Sequence, residues 1–282
     1  MTDGAPSPAH GLRDQPEYAA LAEAIRAQAG ARAIVHVPNF GNWGDALIAE
    51  GSRAFFRHFG IAVTEVAQQR LRKRAWLRTR LATRGWPPMV VFGGGGALAG
   101  QYPNHARMVA RILRAAGRSV VLPSTFGADS VAALSVPGLI AFRRDEFQSR
   151  ESFPTSRFCH DMAFFLAPDP VTPVRETGVF MRTDRERAGA APSPPGNRDI
   201  SAEGRQDTPV AGFFAAVGAA RTIWTDRLHV AIAGALLGRE VHLFPNSYFK
   251  NEAVFRTSLA PHFPNVRFHP RFDGLPDAPG GR

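Results

Sequence analysis

Short apolar strands alternate with helical segments along most of the chain, and this alternation is the feature that most constrains its fold. The apolar segments at 32–37, 89–92 and 119–123 are separated by amphipathic stretches such as "NHARMVARILRAAG". Strands that alternate with helices of about 10–15 residues form βαβ units and a parallel sheet. We therefore expect an α/β protein whose ligand-binding loops lie at the carboxyl ends of its strands.

The composition changes near Asp169, which predicts a division into two domains. The segment "APDPVTPVRE" is typical of a linker, so we predict Rossmann-like domains at 30–168 and at 175–270, the second one shortened. Residues 187–209 are rich in Pro, Gly and polar side chains, and this composition predicts a long mobile loop. Residues 1–18 lack the basic start and apolar stretch of a signal peptide, and we expect a disordered leader there.

The composition also bounds the location and the partners of the protein. One cysteine, Cys159, allows no internal disulfide, and no apolar run is long enough for a transmembrane helix, so we predict a cytoplasmic protein. The net charge of +10 comes almost entirely from arginine, which suits an anionic ligand, an anionic membrane or nucleic acid, unless it only reflects Arg-rich codon usage.

One basic segment stands out within this charge excess. Residues 70–84 carry seven basic side chains and no acidic one. The segment could dock on anionic lipid at the inner face of the membrane, contact nucleic acid, or form a solvated loop.

Two glycine-rich loops follow predicted strands. "NFGNWGD" supplies Asn39, Asn42, Gly44 and Asp45 just before a helix, and a helix N-terminus attracts anions, although Asp45 could also only cap the helix. "VFGGGG" supplies Gly94, Gly95 and Gly96, which would allow a phosphate or a sugar to approach the backbone, or would only form a tight turn. The second loop lacks the downstream acid of a dinucleotide site and the "GK[ST]" of a phosphate-binding P-loop.

The stretch "TDRLHVAIAGALLG" places Thr225, Arg227 and His229 where a strand meets a helix. They form either a site that binds an anion and moves a proton, or a capped helix with two solvated side chains. Arg144 and Arg182 also follow strands and could serve the same anion or form surface ion pairs. The histidines show no metal-binding spacing, and we predict no metal.

Six motifs in this order resemble the polysaccharide pyruvyl transferase family, in particular its exopolysaccharide members. They are "NFGNWGD", "VFGGGG", "RRDEFQS", "DMAF", "TDRLHVAIAGALLG" and "PNSYFKN", and they cover about residues 32–270. The resemblance implies a GT-B-like fold of two Rossmann-like domains. It implies transfer of the enolpyruvyl group of phosphoenolpyruvate to a sugar diol, which yields a cyclic pyruvate ketal and phosphate. The acceptor would be a glycan repeat unit, often lipid-linked, with no cofactor and no nucleic acid partner.

The resemblance also implies roles for the candidate residues. The catalytic candidates are His229 as general acid/base, Arg227 as anion clamp or helix anchor, and Asp45. The substrate-binding candidates are Asn39, Asn42, Gly44, Gly94, Gly95, Gly96, Arg144, Arg182, Thr225, Asn246 and Lys250. Two other classes stay open: a nucleotide-sugar glycosyltransferase of the same fold, and a non-catalytic basic protein that binds membranes or nucleic acid.

Overall fold

Two parallel sheets organise the protein. The computed structural model describes residues 12–68, 87–189 and 194–272. The first sheet contains β1 (Ile34–Val37), β2 (Thr64–Glu65), β3 (Met89–Phe92), β4 (Ser119–Ser124), β5 (Leu139–Arg143) and β6 (Arg157–Phe158). The second contains β7 (Arg175–Phe180), β8 (Ala220–Thr225), β9 (Glu240–Leu243) and β10 (Val266–Phe268). The α/β class with parallel sheets is thus as the sequence predicts.

Helices connect these strands. They are α1 (Pro16–Ala29), α2 (Trp43–His58), α3 (Pro103–Ala116), α4 (Ala128–Ala133), α5 (Gln148–Ser152), α6 (Ala211–Gly218), α7 (Leu228–Leu236), α8 (Lys250–Val254) and α9 (Ala260–His262). A π-helical turn, Phe255–Leu259, joins α8 to α9, and 3₁₀ turns form at Met162–Phe165 and Ile200–Glu203.

The strands of the first sheet are added in both directions from β1. Its strand order is β2-β1-β3-β4-β5-β6, so the winding reverses between β1 and β3. Met89 and Val91 of β3 face the core shared with α1 and α2, whereas Val90 and Phe92 face the core shared with α3. Ligands bind at such a reversal, beyond the carboxyl ends of the strands, which is where both predicted glycine-rich loops lie.

The second sheet is wound in one direction only. Its order, β10-β9-β8-β7, follows the chain, so right-handed crossovers place all its connecting helices on one face. Helix α7 contacts α2 and the 162–165 turn and thus packs between the two sheets. Because this sheet has no winding reversal, the strand order does not confirm a second Rossmann-like domain.

Regular structure begins earlier in the chain than the sequence indicates. Helix α1 occupies part of the predicted leader and begins 14 residues before the predicted domain start at residue 30. Its Tyr18, Leu21 and Ile25 are fully buried against the first sheet, at the spacing of one helix face. The first structural unit therefore extends to at least Leu12, which is also buried.

Within the predicted mobile loop at 187–209, of which residues 190–193 lie outside the described part, Ile200 and Ser201 are buried and the other described residues are exposed or partly exposed. Ile200 is fully buried, and the Arg198 amide donates to the Val179 carbonyl at 3.0 Å. The Asn197 side chain accepts from the Met181 amide and donates to its carbonyl, at 2.7 and 3.0 Å. The segment around Ile200 is therefore anchored to the end of β7, which composition alone does not indicate, while much of the loop is exposed as predicted.

Gly51 of α2 should be needed for the packing of this helix on the 162–165 turn. A β-carbon at this position would lie 1.9 Å from the Met162 carbonyl oxygen. Helix propensity alone predicts that Gly51→Ala stabilises the protein by about 1 kcal/mol. We expect instead a loss of about 1–3 kcal/mol from overpacking, measured by urea unfolding. A stabilised variant would show that the helix does not depend on this contact.

Candidate functional site

The carboxyl ends of both sheets meet around one cavity of about 350 Å³. Loops after β1, β3 and β5 approach it from the first sheet, and loops after β7, β8 and β9 approach it from the second. Eight of the candidate residues line it: Asn42, Asp45, Gly96, Arg144, Arg182, Arg227, His229 and Lys250. Residues far apart in the sequence thus share one site because parallel strands direct their loops to the same edge.

The first turn of α2 forms one wall of the cavity. The Asn42 side chain accepts a hydrogen bond from the Gly44 amide at 2.8 Å, and the Asp45 carboxylate accepts one from the Asn42 amide at 2.9 Å. Asn42 is therefore the N-cap, and Asp45, which one interpretation of the sequence made the cap, instead completes a capping box from the third position of the helix. Both residues also line the cavity. Burial raises the pKa of Asp45, and the opposing effects of His229 and Lys250 are smaller.

His229 lies on the first turn of α7 and faces that wall. Its Nε2 lies 3.8 Å from Oδ2 of Asp161. A β-carbon at Gly44 would lie 2.5 Å from its Nδ1, so glycine at this position leaves room for the imidazole. His229 is half-buried and Arg227 is 4% exposed, so the alternative of two solvated side chains on a capped helix is wrong.

Asp161 is a site residue that sequence reasoning missed. Its carboxylate is fully buried, lies 2.5 Å from Nη1 of Arg144 and accepts from the Ala163 amide at 2.8 Å. Burial alone would raise the pKa of Asp161, but Arg144 and His229 outweigh it and hold the pKa well below its usual range. The motif "DMAF" marked this position without indicating that its acid would pair with Arg144 and His229.

Arg144 carries an unpartnered donor at the cavity wall. The side chain is fully buried rather than part of a surface ion-pair cluster, and its Nε donates to Thr125 Oγ1 at 2.9 Å. Its Nη2 is buried and has no hydrogen-bond partner within the part of the chain that the structure describes. A β-carbon at Gly96 would lie 3.3 Å from Nη2, 3.2 Å from the Tyr248 hydroxyl and 3.4 Å from Cδ of Lys250. Because Gly96 has no side chain, no β-carbon of residue 96 stands between the cavity and these polar groups, which suit an anion.

Glu186 connects three polar side chains of the cavity. It accepts hydrogen bonds from the Tyr102 hydroxyl at 2.9 Å, from Arg182 Nη1 at 2.6 Å and from Lys250 Nζ at 3.0 Å. Burial would raise the pKa of Glu186, but Lys250 and Arg182 outweigh it and hold the pKa far below its usual range. Sequence reasoning named only the two cations, because Glu186 lies in a charged stretch with no distinctive spacing.

Arg227 is engaged by the protein's own carboxylates. Its Nε and Nη2 donate to the two oxygens of Asp199 at 2.9 and 2.6 Å, and its Nη1 lies 2.9 Å from Asp184. These two acids belong to the segment after β7, which Arg227 thereby fixes over the cavity. The geometry supports a positioning role more than the predicted anion clamp.

Two candidate residues lie away from the cavity lining. The Thr225 hydroxyl donates to the Phe180 carbonyl at 2.8 Å and accepts from the Arg227 amide at 2.9 Å, so it shapes the strand end. Asn246 is buried, and neither the nitrogen nor the oxygen of its amide group has a hydrogen-bond partner in the described ranges.

Three more candidates form the layer behind the cavity. Asn39 donates to the Gly94 carbonyl at 2.6 Å, and its Oδ1 lies 3.1 Å from Nε2 of His105, which lines the cavity. A β-carbon at Gly94 would lie 2.3 Å from the Pro123 carbonyl oxygen, and Gly95 has a φ of +123°. These two glycines are needed for backbone packing and conformation.

The structure describes only part of the chain to which the membrane and metal predictions refer. Residues 70–84 lie outside the described residues. Within 12–68, 87–189 and 194–272, no helix is long and apolar enough to cross a bilayer. In the same ranges, no three His, Cys, Asp or Glu side chains are grouped to hold a metal ion, and Nδ1 of His160 instead lies 2.8 Å from the Ser258 hydroxyl.

Comparisons with known proteins support the fold alone. No family model and no curated protein matches the chain. A crystal structure of an uncharacterized protein from Klebsiella pneumoniae subsp. pneumoniae NTUH-K2044 is similar, with a TM-score of 0.71 and 24% sequence identity. The match covers 91% of this chain and 100% of the other.

The ammonium of Lys250 should titrate at unusually low pH. Burial lowers the pKa of Lys250 to about 8, while Glu186 acts in the opposite direction. In Glu186→Gln we therefore expect the pKa to fall further, by about one pH unit or more. The chain contains two lysines, Lys73 and Lys250, so NMR of labelled lysine side chains follows the titration directly, and Lys73→Arg assigns the signals.

Glu203→Gln is the matched control for this titration. Glu203 pairs with Arg198 outside the cavity, so its loss should leave the Lys250 signal unchanged. A Lys250 pKa that is the same in Glu186→Gln and in the wild type would contradict the coupling.

Proposed function

We propose that the protein is a pyruvyl transferase that moves the enolpyruvyl group of phosphoenolpyruvate onto a sugar diol of a surface glycan. One observation carries the proposal. A histidine, a buried carboxyl group of raised pKa and an unpartnered guanidinium donor line the same cavity. The resemblance of the motifs adds the substrate class, and the facing carboxyl ends of two parallel sheets are compatible with a GT-B-like arrangement.

The space beside Gly96 is the proposed site for an anionic group of the donor. Phosphoenolpyruvate carries a phosphate and a carboxylate, and Nη2 of Arg144 offers a charge-assisted hydrogen bond to either one. Lys250 and the Tyr248 hydroxyl border the same space. The other cations of the cavity are paired with Glu186, Asp184 and Asp199, so the donor anion competes with protein carboxylates for them.

His229 and Asp45 are the proposed proton-transfer groups. Ketal formation adds a proton to the methylene carbon, joins two sugar oxygens to the adjacent carbon and breaks the bond between that carbon and the phosphate oxygen. The two sugar hydroxyl groups lose one proton each: one balances the proton gained by the methylene carbon, and the other leaves with the phosphate. His229 is the proposed acid for the methylene carbon, with Asp161 orienting its ring. Asp45, whose pKa is raised by burial, is the proposed acceptor of a hydroxyl proton.

A lipid-linked acceptor would place the enzyme in the cytoplasm at the inner face of the membrane. Residues 70–84 would then contact anionic headgroups through their seven basic side chains. This part of the proposal depends on the sequence alone.

Mass spectrometry of candidate glycans after incubation with phosphoenolpyruvate tests the proposal. We expect the mass of a pyruvate ketal and one phosphate released for each ketal formed. Calorimetric titration with UDP-sugars runs in parallel. Binding of a UDP-sugar but not of phosphoenolpyruvate would instead support a glycosyltransferase. Salt-sensitive DNA binding with no release of phosphate would support the non-catalytic alternative.

His229→Ala should separate catalysis from donor binding. Loss of a general acid/base lowers turnover about a hundredfold or more. Affinity for phosphoenolpyruvate should hold within a few-fold, because the proposed anion contacts come from Arg144 and Lys250. Phosphate release and calorimetry measure the two quantities. Full turnover in a folded His229→Ala protein would remove this residue from the mechanism.

Whereas His229→Ala should lower turnover and leave donor binding nearly unchanged, Gly96→Ala should weaken donor binding. Its methyl group would occupy the space beside Arg144 Nη2, so phosphoenolpyruvate should bind about tenfold more weakly or worse. Folding should be retained, since the nearest groups are side-chain ends. Gly94→Ala is the contrasting variant, because its methyl group meets a carbonyl oxygen and should destabilise the fold. Unchanged donor affinity in Gly96→Ala would place the anion elsewhere.

A further inference from the structure

A second cavity adjoins the first at the end of β1. It encloses about 390 Å³. Its lining comes from the loop after β1, from α2, from β2 and the residues that follow it, and from the 205–207 segment: Pro38, Phe40, Arg53, Glu65, Ala67, Gln68, Arg205, Gln206 and Asp207. Phe40 lines both cavities, so the ring stands on the boundary between them.

Phe40 is exposed without a structural need for its ring. It is 51% accessible, and in the described part of the chain only Val174 is a comparably exposed large apolar residue. Its neighbours are fixed: the Gly41 amide donates to the Gln206 side chain at 3.3 Å, and Asn42 forms a bridge with Arg205. The backbone thus holds an exposed aromatic ring at the mouth of the first cavity.

Gln68 provides a second, independent observation. The residue is 4% exposed and lines the second cavity, yet its Nε2 has no hydrogen-bond partner among the described residues. A buried amide donor without a partner costs free energy, so such groups are rare unless a ligand or water satisfies them. This donor is available to an acceptor oxygen inside the cavity.

The charges of the second cavity do not favour an anion. Arg53 and Arg205 are balanced by Glu65 and Asp207. Arg53 is held by both oxygens of Glu65, at 2.9 and 2.7 Å. A phosphate would meet these carboxylates, whereas a neutral ligand with many hydroxyl groups would find donors and acceptors of both kinds.

We infer that the second cavity and Phe40 bind a neutral sugar unit of an oligosaccharide that extends from the first cavity. Sugars combine an apolar C–H face, which packs on an aromatic ring, with hydroxyl groups that bond amides and carboxylates. The inference rests on the proposed function, because it gives the glycan acceptor of pyruvyl transfer a second sugar-binding site beside the first cavity. The preferred acceptor is then an oligosaccharide rather than a single sugar.

Calorimetry and saturation-transfer NMR, both without phosphoenolpyruvate, test this inference. The probes are the monosaccharide, disaccharide and tetrasaccharide of glucose, galactose and mannose. In at least one series the tetrasaccharide should bind about tenfold more tightly than the monosaccharide. Phe40→Ala should remove about three- to tenfold of this gain, and Phe40→Trp should keep it. Val174→Ala, which removes the other exposed apolar side chain, should leave it unchanged.

Gln68→Ala distinguishes a role of this side chain in sugar binding from a role in the stability of the fold. Removal of an unpartnered buried donor should leave the melting temperature unchanged or raise it, while tetrasaccharide affinity falls about two- to tenfold. Affinity independent of length in every series overturns the inference, as does wild-type binding in both Phe40→Ala and Gln68→Ala. If length-dependent binding persists but phosphoenolpyruvate is never consumed, the glycan site stands and pyruvyl transfer fails.

Discussion

The buried ion pair between Arg144 and Asp161 holds the site together. Both side chains are fully buried, and such a pair is tolerated only where further hydrogen bonds satisfy it, here from Arg144 to Thr125 and from Ala163 to Asp161. Asp161 opens the 162–165 turn, on which both α2 and α7 pack. One ion pair thus fixes the turn on which the two helices that carry Asp45 and His229 pack.

The cavity keeps its cations in place by pairing most of them internally. Glu186 holds Arg182 and Lys250, and Asp199 holds Arg227, so these side chains are ordered before any ligand arrives. Such preorganisation reduces the entropy lost on binding but makes a ligand anion compete with carboxylates. Nη2 of Arg144, which has no partner among the described residues, could bond a ligand anion without this competition.

The sequence predicts the strands and helices of this protein better than the side-chain contacts between distant residues. Strand and helix periodicity is local, so the parallel sheets and the loops at their carboxyl ends could be predicted. The pairing of Arg144 with Asp161, or of Lys250 with Glu186, joins residues 17 and 64 positions apart, and no spacing rule indicates it. Polar composition also did not indicate that Ile200 is buried, because it does not register hydrogen bonds to a neighbouring strand.

The two sheets share one continuous hydrophobic core. Met89 and Phe142 of the first sheet belong to the same cluster as Ile223 and Val241 of the second, with α7 between them. Separate halves would each expose this apolar interface to water, so the chain should unfold in a single cooperative transition. A large apolar interface also opposes hinge rotation of one half against the other. Access to the cavity then depends on local opening at its rim, where the segment after β7 is held by Arg227.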